Sequence, residues 1–336
     1  MRAQEQRPGS RAGDTPWREG AKATRIDELW GVILAGGNGT RLLPLTRRLT
    51  GDERPKQFCA LLGPETLLDH TRRRVALAVH ASRTLFVLTK AHERFYAPLV
   101  ADVPSRQLIE QPANAGNAAA ILYSLLRLRR DDPSASVAFF PSDHYVSDDA
   151  AFMAHVERAH MAAGDRGDLV ILIGIPPESP ETDYGWIEPT PLLPAERSGT
   201  LLRIRRFWEK PTLPLARSLV ARGCLWNSFV MVGKVAAFLA MIREAAPDLY
   251  GRFATLEATL GGDDEERASR ALYAGLPETS FARDVLEARP SGLGVLVADG
   301  VTWSDLGRPD RAMARMHDAV GREACGGVEL PRAATA

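Results

Sequence analysis

Cysteine is scarce in this chain, and the three that occur, Cys59, Cys224 and Cys325, lie far apart. They form no CxxC pair and no zinc-ligand spacing, which argues against a disulfide scaffold and a structural zinc site. No apolar run approaches the ~20 residues that cross a bilayer, and the first residues lack the apolar stretch of a secretory signal. We therefore expect a cytoplasmic protein without a membrane partner.

Net charge is also absent, because 42 Lys and Arg residues balance 42 Asp and Glu residues. Without a global positive field the chain has no general attraction for nucleic acid, so any anionic ligand must be held by local groups. Hydrophobic residues make up 45% and charged residues 25%, as in ordinary globular proteins. The length of 336 residues allows one large α/β domain or two ordinary domains.

Short apolar strands alternate with amphipathic helices over the first half of the chain. The predicted strands are Trp30–Leu34, Thr84–Leu88, Gln107–Glu110, Val137–Phe140 and Leu169–Ile175. The predicted helices between them are Glu65–Val79, Ala91–Val100, Asn117–Leu128 and Ala150–Ala163. This alternation predicts a Rossmann-like α/β fold with a mainly parallel sheet flanked by helices.

The pattern changes beyond Ile175, where proline-rich connections surround two further strands. Tyr184–Glu188 and Leu201–Glu209 predict a small antiparallel addition, and Leu293–Ala298 predicts a late strand. Further helices are predicted over Leu213–Ala221, Lys234–Ala245 and Arg308–Ala319. Residues 1–26 are expected to form a disordered extension and 322–336 a flexible tail, which leaves one ordered domain over 27–321.

A glycine-rich loop directly follows the first strand and reads Ala35-Gly36-Gly37-Asn38-Gly39-Thr40-Arg41-Leu42. Glycines let backbone N–H groups approach an anion, and Arg41 adds a permanent charge suited to phosphate. The alternative is a tight turn beside a surface arginine. The loop lacks the last glycine of GxGxxG, and no G-K-[ST] follows, so a dinucleotide dehydrogenase and a P-loop NTPase both lose support.

The segment from Gly36 to Pro44, followed by Arg54-Pro55-Lys56-Gln57-Phe58, resembles the signature of the sugar nucleotidyltransferases. Its Pro-Lys-Gln-Phe variant resembles the mannose-1-phosphate guanylyltransferases in particular. Five more motifs match in order: Phe140-Pro141-Ser142-Asp143-His144, Tyr184-Gly185-Trp186-Ile187-Glu188, Phe207-Trp208-Glu209-Lys210-Pro211, Leu225-Trp226-Asn227-Ser228-Phe229 and Trp303-Ser304-Asp305-Leu306-Gly307. The resemblance covers about Trp30 to Ala319.

This resemblance implies a nucleotidyltransferase domain over 27–321 that joins GTP and mannose 1-phosphate into GDP-mannose and releases pyrophosphate. A sugar phosphate oxygen would attack the α-phosphorus, so positioning and electrostatic stabilisation would carry the catalysis. Mg²⁺ is the implied cofactor, with Asp143 and Asp305 as its implied ligands. Each aspartate could instead cap a helix or a turn.

The resemblance also assigns three catalytic cations, Arg41, Lys56 and Lys210, which would otherwise be solvated surface residues. Arg41 would serve the triphosphate, Lys56 the reaction centre and Lys210 the sugar phosphate. The implied nucleotide contacts are Ala35, Gly36, Gly37, Gly39, Thr40, Arg41, Gln111, Asn114 and Asn117. The implied sugar-phosphate contacts, under the antiparallel addition, are Tyr184, Gly185, Glu209, Lys210 and Asn227.

Two segments depart from the family pattern. Relatives usually carry Asn-Thr-Ala-Pro-Ala or Arg-Gly-Thr-Ala-Pro-Ala at the helix near the nucleotide, whereas Ala115, Asn117 and Ala119 stand here. Many guanylyltransferases have an aspartate near Ala282 and an aromatic residue near Arg283. These departures keep two alternatives open: a different NTP and hexose 1-phosphate pair, or a non-catalytic sugar-nucleotide sensor. Analogy with the family also allows a homodimer.

Overall fold

The computed structural model describes residues 26, 28–190 and 201–316. Its strands are β1 (Leu29–Leu34), β2 (Thr84–Thr89), β3 (Leu108–Gln111), β4 (Ser136–Pro141), β5 (Tyr145–Val146), β6 (Val170–Ile175), β7 (Gly185–Thr190), β8 (Leu201–Glu209), β9 (Leu225–Lys234), β10 (Leu293–Val297) and β11 (Trp303–Ser304). Its α-helices are α1 (Leu43–Thr50), α2 (Leu67–Val75), α3 (Glu93–Tyr96), α4 (Asn117–Asp131), α5 (Asp149–Asp165), α6 (Leu213–Ala221), α7 (Val235–Ala245), α8 (Pro247–Glu257) and α9 (Glu265–Tyr273), and a further helical segment covers 309–316.

A nine-stranded mixed sheet with the order β3-β2-β1-β4-β9-β6-β10-β8-β7 runs through the centre of the described chain. Strands β3, β2, β1 and β4 pair in parallel, as do β6 and β10. Strand β9 lies antiparallel between β4 and β6, and β8 pairs antiparallel with both β10 and β7. The α/β fold expected from the sequence is therefore confirmed, with helices packed on both faces, but the sheet is mixed rather than mainly parallel, because β8 and β9 pair antiparallel with their neighbours.

Two features of the sheet differ from the sequence-based expectation. Strand β9 was not predicted, because Asn227 and Ser228 interrupt its apolar pattern, yet both side chains are buried. The hydroxyl of Ser228 donates to the carbonyl of Ile173 at 2.7 Å, which satisfies it inside the sheet. The antiparallel strands β7 and β8 are also not a separate layer, since β8 continues the main sheet from β10.

Helix boundaries follow capping chemistry more closely than apolar spacing. Helix α2 begins after Thr66, which forms a capping box with Asp69, so the helix is shorter than predicted. Helix α1, with Pro44 in its first turn, ends at Gly51 in the left-handed region at φ 79°. Helices α1, α8 and α9 were not predicted. Glu265 and Glu266 lie in the first turn of α9, where acidic side chains are favourable because they complement the helix dipole.

The core divides into two layers because neighbouring residues of each strand point to opposite faces of the sheet. Val32 of β1 packs in a cluster with α4, α7 and α8, whereas Ile33 packs with α2 and α5 on the other face. A third, smaller cluster joins Leu42, Leu67 and Leu306. It packs beside the glycine-rich loop and the start of the 309–316 helix, and so ties these two segments together.

Several expectations fall wholly or partly beyond these ranges. Apart from Ile26, the segments 1–26 and 322–336 lie outside the described residues, as does the part of the last predicted helix beyond 316.

Cys59 and Cys224 are buried free thiols, and burial raises the pKa of Cys59 to about 12. Among the described residues, none of the helices combines the length and hydropathy that a bilayer crossing requires.

Candidate active site

A cleft of about 820 Å³ opens where the parallel strands end. The loop after β1, the segment after β4 and the starts of α4 and β7 all contribute to its lining. The predicted site residues that line it are Gly36, Gly37, Arg41, Gln111, Asn114, Asn117, Asp143, Tyr184, Gly185, Glu209, Lys210, Asn227 and Asp305. Residues from distant parts of the sequence are thus brought together in one cavity.

Four predicted residues are not part of the lining. Ala35 is fully buried and donates its N–H to the carbonyl of Val87 at 2.8 Å. Gly39 adopts the left-handed conformation at φ 59° and begins the turn that contains Thr40. Lys56 is buried directly behind Asp143. These four residues shape or support the cleft wall. Among them, Lys56 alone places a charge against a lining side chain, the carboxylate of Asp143.

The glycine-rich loop has its carbonyl groups occupied by protein donors. The Gln57 amide donates to the carbonyls of Ala35 at 3.1 Å and Gly37 at 2.7 Å, and the Thr89 hydroxyl donates to that of Gly36 at 2.9 Å. Within the described residues, none of the N–H groups from Gly36 to Gly39 has a protein acceptor. The loop therefore offers donors rather than acceptors to the cleft, which suits an anion.

Two short strands bring Asp143 and Asp305 to the same place. Strand β5 follows Asp143 closely, strand β11 ends one residue before Asp305, and Tyr145 pairs with Ser304. The ammonium group of Lys56 lies 3.2 Å from the Asp143 carboxylate and donates to the backbone carbonyl of Asp305. The two predicted metal ligands are thus neighbours of one buried lysine.

Charges around Asp143 keep it ionised. Burial alone would raise its pKa, but the nearby charge of Lys56 and its hydrogen bond to the carboxylate outweigh burial, so the pKa of Asp143 lies below its usual value. His144 lies 3.5 Å from Asp143 and packs edge-on against Trp303. Burial lowers the pKa of His144, so the imidazole is neutral at pH 7.

The sugar end of the predicted site contains a half-buried acid, Glu209, beside an exposed cation, Lys210. Burial raises the pKa of Glu209, while Lys210, 3.6 Å away, opposes that rise. Lys210 adopts φ 50°, which is rare for a residue with a side chain, and its N–H donates to the carbonyl of Tyr184. A Cβ on Gly185 would lie 3.1 Å from Glu209 and 2.8 Å from Phe207, so glycine leaves room for this carboxylate.

The predicted amide contacts already have structural partners through their oxygens. Asn117 accepts from the N–H of Phe281 at 2.7 Å, and Asn114 accepts from the N–H of Gly116 at 2.9 Å. The side-chain oxygen of Gln111 accepts from the hydroxyl of Tyr273, and the side-chain oxygen of Asn227 accepts from the N–H of Phe229. A ligand would therefore meet amide N–H groups rather than amide oxygens.

Sequence reasoning missed Asp183 and Arg311. Asp183 lines the cleft, and Arg311, on the 309–316 helix, donates to Asp183 at 2.7 Å and to Asp305 at 2.9 Å. The only signal for Arg311 was its spacing with Arg308 and Arg315 along one helix face, which did not identify their partners. Residues 278–280 also line the cleft and had no assigned role.

The chain matches the family model described as nucleotidyl transferase over residues 30–319. It is 30% identical over 282 residues to the alginate biosynthesis protein AlgA of Pseudomonas syringae pv. tomato, covering 82% of this chain and 56% of that protein. It is 29% identical to the mannose-1-phosphate guanylyltransferase of Escherichia coli K12, covering 83% of this chain and 58% of that protein. The chain thus spans little more than half the length of these relatives.

A solved structure from Thermus thermophilus, named a mannose-1-phosphate geranyltransferase, superimposes with a TM-score of 0.72 at 29% identity. The superposition covers 83% of this chain and 76% of that one. A second structure, named a mannose-6-phosphate isomerase from Helicobacter pylori, has a TM-score of 0.63 at 20% identity and covers 82% of this chain and 99% of that one, which supports the fold alone. On the extent of the family match, this chain belongs to the nucleotidyl transferase family.

Proposed function

We propose that this chain transfers the guanylyl group of GTP to mannose 1-phosphate, giving GDP-mannose and pyrophosphate. The observation that supports this most directly is the single cleft that contains Arg41 and Lys210 together with Asp143 and Asp305. Two phosphorylated reactants repel each other, and cations with carboxylates that can share a metal are the groups that hold such reactants together. The choice of GTP and mannose rests on the names of the relatives.

The donor set at this edge fits Mg²⁺. Magnesium is usually bound by one or two carboxylates and completes its coordination with substrate phosphates and water. Within the described ranges, no group of three or more His, Cys, Asp or Glu residues is arranged to hold a metal. Asp143 and Asp305 both line the cleft, and they are the residues that would hold Mg²⁺ in common with the substrates. When bound, the ion would neutralise charge on the phosphate oxygens.

The residues around the cleft have separate parts in the proposed reaction. The glycine-loop N–H groups and Arg41 bind the triphosphate, while Lys210 holds the phosphate of the sugar. A sugar phosphate oxygen then forms a bond to the α-phosphorus as the bond to the β-phosphate oxygen breaks and pyrophosphate leaves. The attacking oxygen is already an anion, so no protein base has to remove a proton. Lys56 holds the Asp143 carboxylate beside the reacting groups.

A different NTP and hexose 1-phosphate pair is the second candidate, and specific observations favour it. Ala282 and Arg283 line the cleft at the position where many guanylyltransferases carry an aspartate and an aromatic residue. The oxygen of Asn117, where a threonine is usual, is occupied by the N–H of Phe281. Both departures therefore lie in or beside the substrate space rather than on a remote surface.

An activity matrix tests the proposal. The purified chain is incubated with Mg²⁺ and each pairing of GTP, ATP, UTP, CTP and dTTP with mannose, glucose and galactose 1-phosphates, and pyrophosphate release is measured. GTP with mannose 1-phosphate should react fastest, and EDTA should stop the reaction until Mg²⁺ is added in excess. Faster reaction of another pair would replace the substrate assignment. Nucleotide-sugar binding without turnover of any pair would favour a sensor.

Two glycine substitutions should separate the two ends of the cleft. The added Cβ of Gly37→Ala has no protein atom within 4 Å, so it can obstruct only a ligand. The Cβ of Gly185→Ala would lie 2.8 Å from the ring of Phe207 and 3.1 Å from the carboxylate of Glu209, and would displace both. We expect the KM for the nucleotide to rise by about tenfold in Gly37→Ala, and the KM for the sugar phosphate to rise about as much in Gly185→Ala. Steady-state kinetics with each substrate varied in turn measure both constants, and each variant is the control for the other. If either substitution raised both constants equally, the separation would be wrong.

The proposed function also includes an assembly state and a cellular location. A homodimer is proposed by family analogy, and sedimentation of the purified chain would test it. A cytoplasmic site of action is proposed because GTP and hexose phosphates are cytoplasmic metabolites.

A further inference from the structure

Two arginines share the same pair of acids beside the cleft. Asp183 directs one carboxylate oxygen towards Arg41, at 3.9 Å, and the other towards Arg311, at 2.7 Å. Asp305 does the same, with Arg41 at 3.9 Å from one oxygen and Arg311 at 2.9 Å from the other. Each acid therefore contacts both arginines through different oxygens.

The two arginines differ in how firmly they are held. The side chain of Arg311 is only 13% exposed, its hydrogen bonds are short, and its guanidinium lies 4.6 Å from the ring centre of Tyr184. The side chain of Arg41 is 55% exposed, lines the cleft, and approaches both acids only at long range. Arg311 is not part of the cleft lining, so its charge acts on the two acids from behind.

We propose that Arg311 is a positioning residue that neutralises Asp183 and Asp305, so that Arg41 remains available to the phosphate groups of the nucleotide. This inference rests on the proposed function, since it takes Arg41 as a triphosphate contact. Without Arg311, the two carboxylates would each lack their closest cation. Arg41 is the nearest exposed cation that reaches both of them, and it would be drawn from the cleft into tight ion pairs.

Other charges around the two acids do not replace Arg311. Arg308 lies 3.8 Å from Asp183, but it is half exposed and also pairs with Asp310. Lys56 contacts Asp305 through the backbone carbonyl, and its ion pair is with Asp143. Glu181, 3.7 Å from Arg311, adds a further negative charge to the same region. Loss of Arg311 would therefore leave a local excess of negative charge, and Arg41 would form ion pairs with it.

The test measures anion binding rather than turnover. Inorganic triphosphate is titrated calorimetrically in EDTA into the wild-type chain, Arg311→Met, Arg41→Met and the double variant. Each single substitution should weaken binding by about tenfold. The double variant should bind no more weakly than Arg41→Met alone, because Arg311 acts through Arg41. Losses that add in the double variant would overturn the proposal, since Arg311 would then act independently of Arg41.

A rescue experiment and a matched control complete the test. Asp183→Asn in the Arg311→Met background should restore part of the triphosphate affinity, because it removes one of the charges that attract Arg41. Arg315→Met is the control: it lies one turn further along the helix, pairs with Glu178 at 3.4 Å, and should bind triphosphate like the wild-type chain. Absence of rescue, or an equal loss in Arg315→Met, would contradict the proposal.

Two outcomes distinguish this inference from the proposed function. If the wild-type chain itself fails to bind triphosphate, the assignment of the cleft is wrong and the inference fails with it. If the wild-type chain binds and Arg311→Met binds equally well, only the inference fails. Thermal denaturation monitors folding, and if Arg311→Met does not fold, Arg311→Lys takes its place. The lysine keeps the charge but cannot bridge both acids, so it should still weaken binding.

Discussion

Replacing Asp143 by asparagine should lower kcat by about 10³-fold, because the change removes a carboxylate from the place where charge must be balanced in the transition state. Asparagine keeps the size of the side chain, and Lys56 retains its hydrogen bond to the carbonyl of Asp305. The effect should therefore fall on turnover rather than on folding. Pyrophosphate release at saturating substrates and excess Mg²⁺ measures it.

The chain offers a closely matched control for this substitution. Arg74 and Asp149 form an ion pair at 2.6 Å with side chains 6% and 25% exposed, and the pair of Lys56 and Asp143 has side chains 9% and 27% exposed. Neither Arg74 nor Asp149 lines the cleft. Asp149→Asn should therefore cost a similar amount of stability and leave kcat close to that of the wild-type chain. Equal loss of kcat in the two variants would mean that Asp143 acts only through stability.

The parts of the site that could be predicted are those whose residue types, within one local segment, indicate their chemical role. The glycine-rich loop is recognisable because only glycines after a first strand let N–H groups meet an anion. Asp143 is recognisable because it follows a buried strand, where parallel sheets present their ligands, whereas Asp305 is recognisable only through the motif that resembles the family. The structure places residues of the glycine-rich loop and both aspartates in the lining of one cleft.

The parts that could not be predicted depend on contacts between distant segments. Strand β9 has no clean apolar alternation, because Asn227 and Ser228 interrupt it, and only the folded sheet supplies the carbonyl of Ile173 that accepts from the Ser228 hydroxyl. Arg311 looks like a surface residue of an exposed helix until the chain places it against Asp183 and Asp305. Such pairings follow from topology, and spacing along one segment cannot reveal them.

Gly116 marks another contact of this kind, and its replacement should have the largest effect on stability. Gly116 has φ 85°, and a Cβ there would lie 2.3 Å from the backbone carbonyl oxygen of Thr279. Two backbone hydrogen bonds join the same segments: the N–H of Thr279 donates to Ala115, and the N–H of Ala118 donates to Thr279. Gly116 therefore sits inside a backbone junction between the start of α4 and residues 279–281.

Gly116→Ala should lower the free energy of unfolding by about 3 kcal/mol, because φ 85° with ψ 168° is a conformation that essentially only glycine adopts, and because the added Cβ forces two backbones apart. Gly51→Ala is the control for a positive φ without a clash, because Gly51 lies in the left-handed region at φ 79° and ψ 0° and has no atom within 4 Å of the added Cβ. That variant should lose only the ~1 kcal/mol that a side chain costs in the left-handed region. Urea denaturation of the three proteins, monitored by circular dichroism, measures the difference.

Gly116→Ala should also weaken the binding of the nucleotide. Thr279 and Asn117 both line the cleft, and the junction holds the oxygen of Asn117 against the N–H of Phe281. Forcing the two segments apart should therefore raise the KM for the nucleotide in Gly116→Ala, while Gly51→Ala leaves it unchanged. If Gly116→Ala and Gly51→Ala were equally stable and equally active, residues 279–281 could move away from the added Cβ without loss of stability. The nucleotide end of the cleft would then not depend on this junction.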